Sequence, residues 1–160
     1  MKDVYTVAFF GHRRMDGIIA VEEKIAQLAR ELMKRKEYVE FLVGMEGDFD
    51  RIAASAVRRE KRRLDAFNAS LVCVLPYLRK EYKDNEAEFE AYFDEIEICR
   101  ESEAAHFKAA IEVRNRAMAE RAELVVCYLE RETGGAFKAV RYAERLGKRV
   151  INLRDAEFDG

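Results

Sequence analysis

Residues 122–153, AELVVCYLERETGGAFKAVRYAERLGKRVINL, decide the fold, because they set a strand, a glycine loop, a helix and a second strand in direct succession. From Leu124 through Leu129 the run is continuously apolar, with β-branched and aromatic members. That is the pattern of a parallel strand covered on both faces, whereas a half-solvated strand alternates. A short polar loop reaches Thr133, Gly134 and Gly135, and beyond it Phe137, Val140, Ala143 and Leu146 recur at every third position. This spacing predicts a helix with one apolar stripe, closed by Gly147 in a left-handed C-cap. Residues 149–153 then return as a strand. A glycine pair directly before a helix lets a ligand approach the backbone, where unpaired N–H groups and the positive end of the helix dipole favour an anion. The same pair also suits a plain strand-to-helix turn, so the loop alone does not decide between the two.

Working outward, the same alternation repeats upstream. Residues 4–10 read as a first, central strand that ends in Gly11, His12, Arg13 and Arg14, and a helix with Ile18, Val21, Ile25, Leu28 and Leu32 on one face runs to about Lys36. Residues 38–43 form a second strand, followed by Gly44, Met45, Glu46, Gly47, Asp48, Phe49 and Asp50, with Asp48 or Asp50 expected to N-cap the next helix. Residues 70–75 are a third strand, closed by Pro76 and Tyr77. The charged segment 79–91 is expected to make a loop or short helix along an edge, residues 92–99 a fourth strand, and residues 106–122 a helix. Such alternation indicates an α/β sandwich with a mainly parallel sheet of five or six strands. In that architecture ligands bind beyond the strands' C-terminal ends, where the strand order reverses. The glycine- and arginine-bearing loops are all expected at that edge.

Composition narrows the classes. A length of 160 residues suits one domain, 1–160, with a substantial core. No apolar run approaches a membrane span, and the N-terminus lacks the pattern of a signal peptide, so no membrane partner and a cytoplasmic location are expected. Cys73, Cys99 and Cys127 have no CxxC pairing and read as reduced core residues; with only His12 and His106 besides, no metal site is expected. The basic run Arg58, Arg59, Lys61, Arg62 and Arg63 reads as a solvated helix face, because no aromatic residue is interleaved with it for base stacking. Nucleic acid is therefore not an expected partner. Arg116 is expected to pair on its helix surface with Glu112 or Glu120.

Four segments carry a wider resemblance: FFGHR in the first loop, GMEGDFDRIAA in the second, RNRAMAERAELVV before the fifth strand, and TGGAFKAVRYAE after it. Together, and in this order, they resemble the SLOG superfamily, in particular its small stand-alone bacterial proteins with a GHR loop. The resemblance implies a Rossmann-like three-layer sandwich that binds a nucleotide or a nucleotide-derived ligand of the ADP-ribose or NAD type. Its relatives include DNA-processing protein A and the LOG phosphoribohydrolases. It assigns Gly11, His12 and Arg13 to the first ligand-facing loop and Gly44 and Asp50 to the second, and it places Arg114 and Asn115 at the rim and Gly134 and Gly135 at the phosphate-binding turn. The residues themselves add Arg14, Met45, Thr133 and Phe137 as ligand-binding candidates in the same loops. Homo-oligomer formation is a further expectation of the same kind.

The departures from the pattern are informative. Asp48 stands where a glycine is usual, and Ala136 where a threonine would offer a hydroxyl to phosphate. The hydrolase branch has a glutamate after its glycine pair, where this chain has Phe137, Lys138, Ala139 and Val140. Glycosidic hydrolysis needs a carboxylate at the reacting carbon, so the expectation is a sensor or regulatory binding module, with Arg13 or Arg114 closing over the phosphate. The alternative is an N-glycosidic hydrolase or transferase acting on a nucleoside monophosphate, with Glu46, Asp48 or Asp50 as the catalytic carboxylate.

Overall fold

The computed structural model describes residues 3–155. Among them one sheet runs β1 (Val4–Gly11), β2 (Tyr38–Val43), β3 (Ala69–Leu75), β4 (Glu95–Ile98), β5 (Leu124–Tyr128) and β6 (Arg149–Asn152). All pairings are parallel and the spatial order is β4-β3-β2-β1-β5-β6. The chain thus builds outward from β1 to one edge, then restarts on the other side of β1. This is the Rossmann-like α/β sandwich, and its order reverses between β1 and β5.

The two faces of β1 show why the layers form. Val7 and Phe9 point to one side, where α1 (Ile18–Arg35) and α2 (Asp48–Arg63) bring Ile25, Leu28, Phe49 and Val57 against them. Ala8 and Phe10 point to the other, where α6 (Phe107–Arg121) and α7 (Gly135–Arg145) bring Met118, Ala119, Val140 and Ala143. Each fully buried Leu, Ile or Phe contributes about 1.5–3 kcal/mol, so both faces need a helix layer. Cys73 and Cys127 sit in the central strands and Cys99 just beyond β4; all three are buried free thiols. Burial pushes the Cys73 and Cys127 thiols up to about 12, which leaves them unreactive.

Several expectations are corrected in detail. Segment 79–91 folds as two short helices, α3 (Lys80–Asp84) and α4 (Glu86–Tyr92), so Tyr92 ends a helix and β4 is half as long as its apolar alternation suggested. The small α5 (Arg100–Glu103) follows. Neither Asp48 nor Asp50 caps α2; its N-cap is Gly47, without a side-chain hydrogen bond. On α7 the buried stripe is Ala139, Val140 and Ala143, while Leu146 is exposed and Gly147 takes the left-handed conformation at φ 77°. Leu146 is the C-cap of α7, beyond its last turn.

Gly11 is fixed by packing: a Cβ there would overlap the ring of Phe49, itself fully buried against Phe9. Overpacking of this kind costs about 1–3 kcal/mol. Gly11→Ala is therefore expected to lower the melting temperature by about 3–10 °C, measured by thermal unfolding; an unchanged melting temperature would show that the Phe49 ring yields freely.

Candidate functional site

A cleft of about 280 Å³ opens at the C-terminal ends of β1 and β5, at the point where the strand order reverses. It brings together Gly11, His12, Arg13, Gly44, Asp50, Arg114, Asn115, Thr133, Gly134 and Gly135, which lie on four separate segments of the sequence. Arg14, Met45 and Phe137 lie outside it: Phe137 packs against the edge of the core and lines the neighbouring grooves, and Arg14 is exposed past the turn. Of the carboxylates, Glu46 and Asp50 line the cleft; Asp48 does not, since its side chain accepts the Met15 N–H at 3.0 Å and pairs with Arg51. Ile111, Met118 and Arg131 also line it and were not anticipated.

The floor is a buried charge cluster. Arg114 is 1% exposed, so it stands beneath the cleft and cannot close over a ligand from the rim. Its Nη1 donates to the Val74 carbonyl at 2.8 Å, its Nε to Asn115 Oδ1 at 3.0 Å, and its Nη2 lies 3.8 Å from Glu46 Oε2. Burial lowers the guanidinium's pKa, opposed by Glu46 and Asp50, and it remains charged. Glu46 is shared with Arg79, which forms a two-oxygen ion pair with it. The Asp50 carboxylate accepts the Glu46 N–H at 2.7 Å. At Gly44 a Cβ would crowd the Arg114 guanidinium at 3.1–3.2 Å.

The glycines at this edge therefore have different causes. Gly11 admits Phe49, Gly44 admits Arg114, and a Cβ on Gly47 would lie 2.5 Å from Arg13 Cα. Gly134, at φ 95°, and Gly135 instead face open space, apart from Asn115 Nδ2 at 4.0 Å from the Gly135 Cβ position.

The two helix N-termini at the cleft also differ. The Asp48 N–H of α2 donates to the Arg13 carbonyl at 2.8 Å and the Phe49 N–H to the His12 carbonyl at 3.4 Å, so the first loop consumes these donors. No side chain caps α7, and among the described residues no acceptor takes the N–H of Gly135, Ala136 or Phe137. His12 ties the two loops together: its Nε2 accepts the Glu130 N–H at 2.9 Å, which requires a neutral ring protonated on Nδ1. Burial first, then Arg131, holds its pKa below 6.5.

No family model matches the sequence, and no curated protein does. Solved structures do share the fold. DNA processing protein A from Streptococcus pneumoniae is 15% identical with a TM-score of 0.65, over 92% of this chain and 49% of that one. Its counterpart from Helicobacter pylori is 19% identical with a TM-score of 0.65, over 91% and 63%. The structural-genomics protein TM1055 is 16% identical with a TM-score of 0.59, over 91% and 72%. The chain thus spans about half the length of the first protein. The fold is that of the superfamily its loops resemble.

The exclusion of nucleic acid is corrected by the second of these, whose structure describes a single-stranded DNA binding mode. The ground for the exclusion also fails in three dimensions. Arg59 does pair with Glu22 and Glu23, and Arg116 with Glu112, but Arg58 stacks 4.5 Å over the Tyr92 ring, and the 87%-exposed Phe67 shares a groove with Arg62. The aromatic residues come from other segments, where helix periodicity cannot show them. Among the described residues no helix is long and apolar enough to cross a membrane, and no cluster of three or more potential ligands could hold a metal ion.

Asp50 gives the cleft a pH signature. Burial raises its carboxyl from 3.8 to about 6, opposed by the Glu46 N–H and Arg114. The folded state therefore holds its proton more tightly than the unfolded chain does. The resulting stability is full below pH 3.8 and is lost as pH rises through about 6, a change of about 3 kcal/mol. His12 acts in the opposite sense, its contribution being full above pH 6.5 and lost on acidification. Between pH 4 and 6, Asp50→Asn is expected to gain stability relative to wild type as pH rises, measured by denaturant unfolding; parallel profiles would contradict the assignment.

Proposed function

We propose that this chain binds a nucleotide-derived ligand, with a phosphate seated on the N-terminus of α7 and flanked by Arg13 and Arg131. The observation that carries this reading is the contrast between α7, where among the described residues no acceptor takes the first three N–H groups and whose Gly135 and Ala136 border the cleft, and α2, whose Asp48 and Phe49 N–H groups are taken by the first loop. Aligned unpaired N–H groups and the helix dipole favour an anion at that end. Both arginines line the cleft and are exposed, free to fork onto phosphate oxygens, whereas Arg114 is committed to the floor. The phosphodiester of single-stranded DNA presents the same anion, and the likeness to the Helicobacter pylori protein supports including it among the ligands.

A second reading, an enzyme cleaving an N-glycosidic bond, is favoured by one feature: Glu46 and Asp50 border the cleft, and Asp50 keeps its proton up to about pH 6. A carboxyl with that pKa can act as a general acid near neutrality. It predicts free base released from a nucleoside monophosphate by wild type and not by Asp50→Asn.

The binding reading is tested by thermal shift with AMP, ADP, ADP-ribose, NAD and a deoxythymidine oligonucleotide. A ligand at one hundred times its dissociation constant adds about 2.7 kcal/mol, a rise of roughly 5–10 °C. Gly135→Asp, which puts a negative charge at the helix end, is expected to abolish the rise. Equal shifts in variant and wild type would refute the placement.

A further inference from the structure

Beyond the cleft, one turn past its lining on α6, stands an aromatic residue that the phosphate reading leaves unused. Phe107, on the first turn of α6, is 66% exposed. A single exposed aromatic is ordinary, but this one is buttressed. The Tyr77 ring meets it edge-on at 6.3 Å and 78°, and the His106 ring lies 6.2 Å away. Tyr77 in turn carries the Arg79 guanidinium 5.6 Å from its ring centre, and Arg79 is ion-paired with Glu46 in the cleft floor. The ring is thus held from the same charge cluster that supports Arg114, with one face left open.

Its position continues the cleft wall. Phe107, Ile111, Arg114, Asn115 and Met118 follow the spacing of one helix face, and the last four line the cleft. Phe107 lies one turn, about 6 Å, outward of Ile111. At the other end of the stripe, Asn115 stands beside Gly135. From Asn115 to Phe107 is about 12 Å along the helix at ~1.5 Å per residue.

We propose that Phe107, edge-supported by Tyr77, is the stacking platform for the base of a nucleoside diphosphate whose phosphates occupy the start of α7. This rests on the phosphate placement above. Six bonds separate the phosphorus of a nucleoside monophosphate from its glycosidic nitrogen, and at roughly 1.2 Å of reach per bond they span about 7 Å. One more phosphate and the half-width of the base bring the reach to about 12 Å. A planar base needs the feature present here, an open aromatic face at the end of a phosphate-binding groove. Base–aromatic stacking accounts for about 5- to 150-fold in affinity.

The test is isothermal titration of the full chain with ADP, AMP and inorganic pyrophosphate, using wild type, Phe107→Ala, Phe107→Trp and Gly135→Asp. Phe107→Ala is expected to weaken ADP about 5- to 150-fold and to leave pyrophosphate unchanged. Phe107→Trp should retain ADP, and AMP, one phosphate short, should depend less on Phe107 than ADP does. Gly135→Asp should weaken ADP and pyrophosphate together. If Phe107→Ala binds ADP as wild type does, the platform is wrong and the phosphate site stands. If it loses pyrophosphate as much as ADP, Phe107 acts through the fold and the proposal also fails. Equal dependence of AMP and ADP on Phe107 would overturn the length assignment. If wild type binds none of the three probes, the phosphate placement fails and the platform with it.

Discussion

A guanidinium sealed beneath the sheet's C-terminal edge organises this molecule. Arg114 is a charge taken almost wholly out of water, and such a charge is tolerated only when its donors are met and an opposite charge is close. Each partner that meets it comes from a different segment: the Val74 carbonyl from β3, Glu46 and Asp50 from the turn and first helical residues after β2, and Asn115 from its own helix. The guanidinium also crowds position 44, where a glycine follows β2. Removing one partner would strand the others, and the cluster ties α6 to β3 and to the turn after β2.

Much of the fold was legible because its central strands are covered on both faces. Continuous apolar runs such as Phe41 to Val43 and Leu71 to Leu75 have no polar alternative, and the first is followed by the helix-spaced apolar residues of α2. The edge was harder. β4 has one neighbour, and its short alternation of Glu and Ile is shared with the helix that precedes it. The first turn of α2 misled for a different reason: Asp48 and Asp50 have the right chemistry for caps, but loop contacts with Met15 and Glu46 claimed their oxygens.

The site was legible in its location and less so in its causes. Glycines after β1 and β2 looked like approaches for a ligand, yet they admit Phe49, Arg114 and the Arg13 backbone. A sequence shows where a side chain is missing without showing what fills the space. Arg79 went unnoticed because its partner Glu46 lies far along the chain, and Arg131 because the cleft it lines is assembled from distant segments. The basic helix was misjudged for the same reason, since Tyr92 and Phe67 reach it from outside its own periodicity.

Of the helices that start at the sheet's C-terminal edge, α2 has its first donors satisfied by the first loop, which leaves α7 to receive an anion. Backbone amide chemical shifts during titration with inorganic pyrophosphate test that asymmetry directly. The account predicts saturable shifts at Gly135, Ala136 and Phe137, with Asp48 and Phe49 unmoved. Shifts centred on Asp48 and Phe49, or none at Gly135 to Phe137 at saturating pyrophosphate, would contradict it.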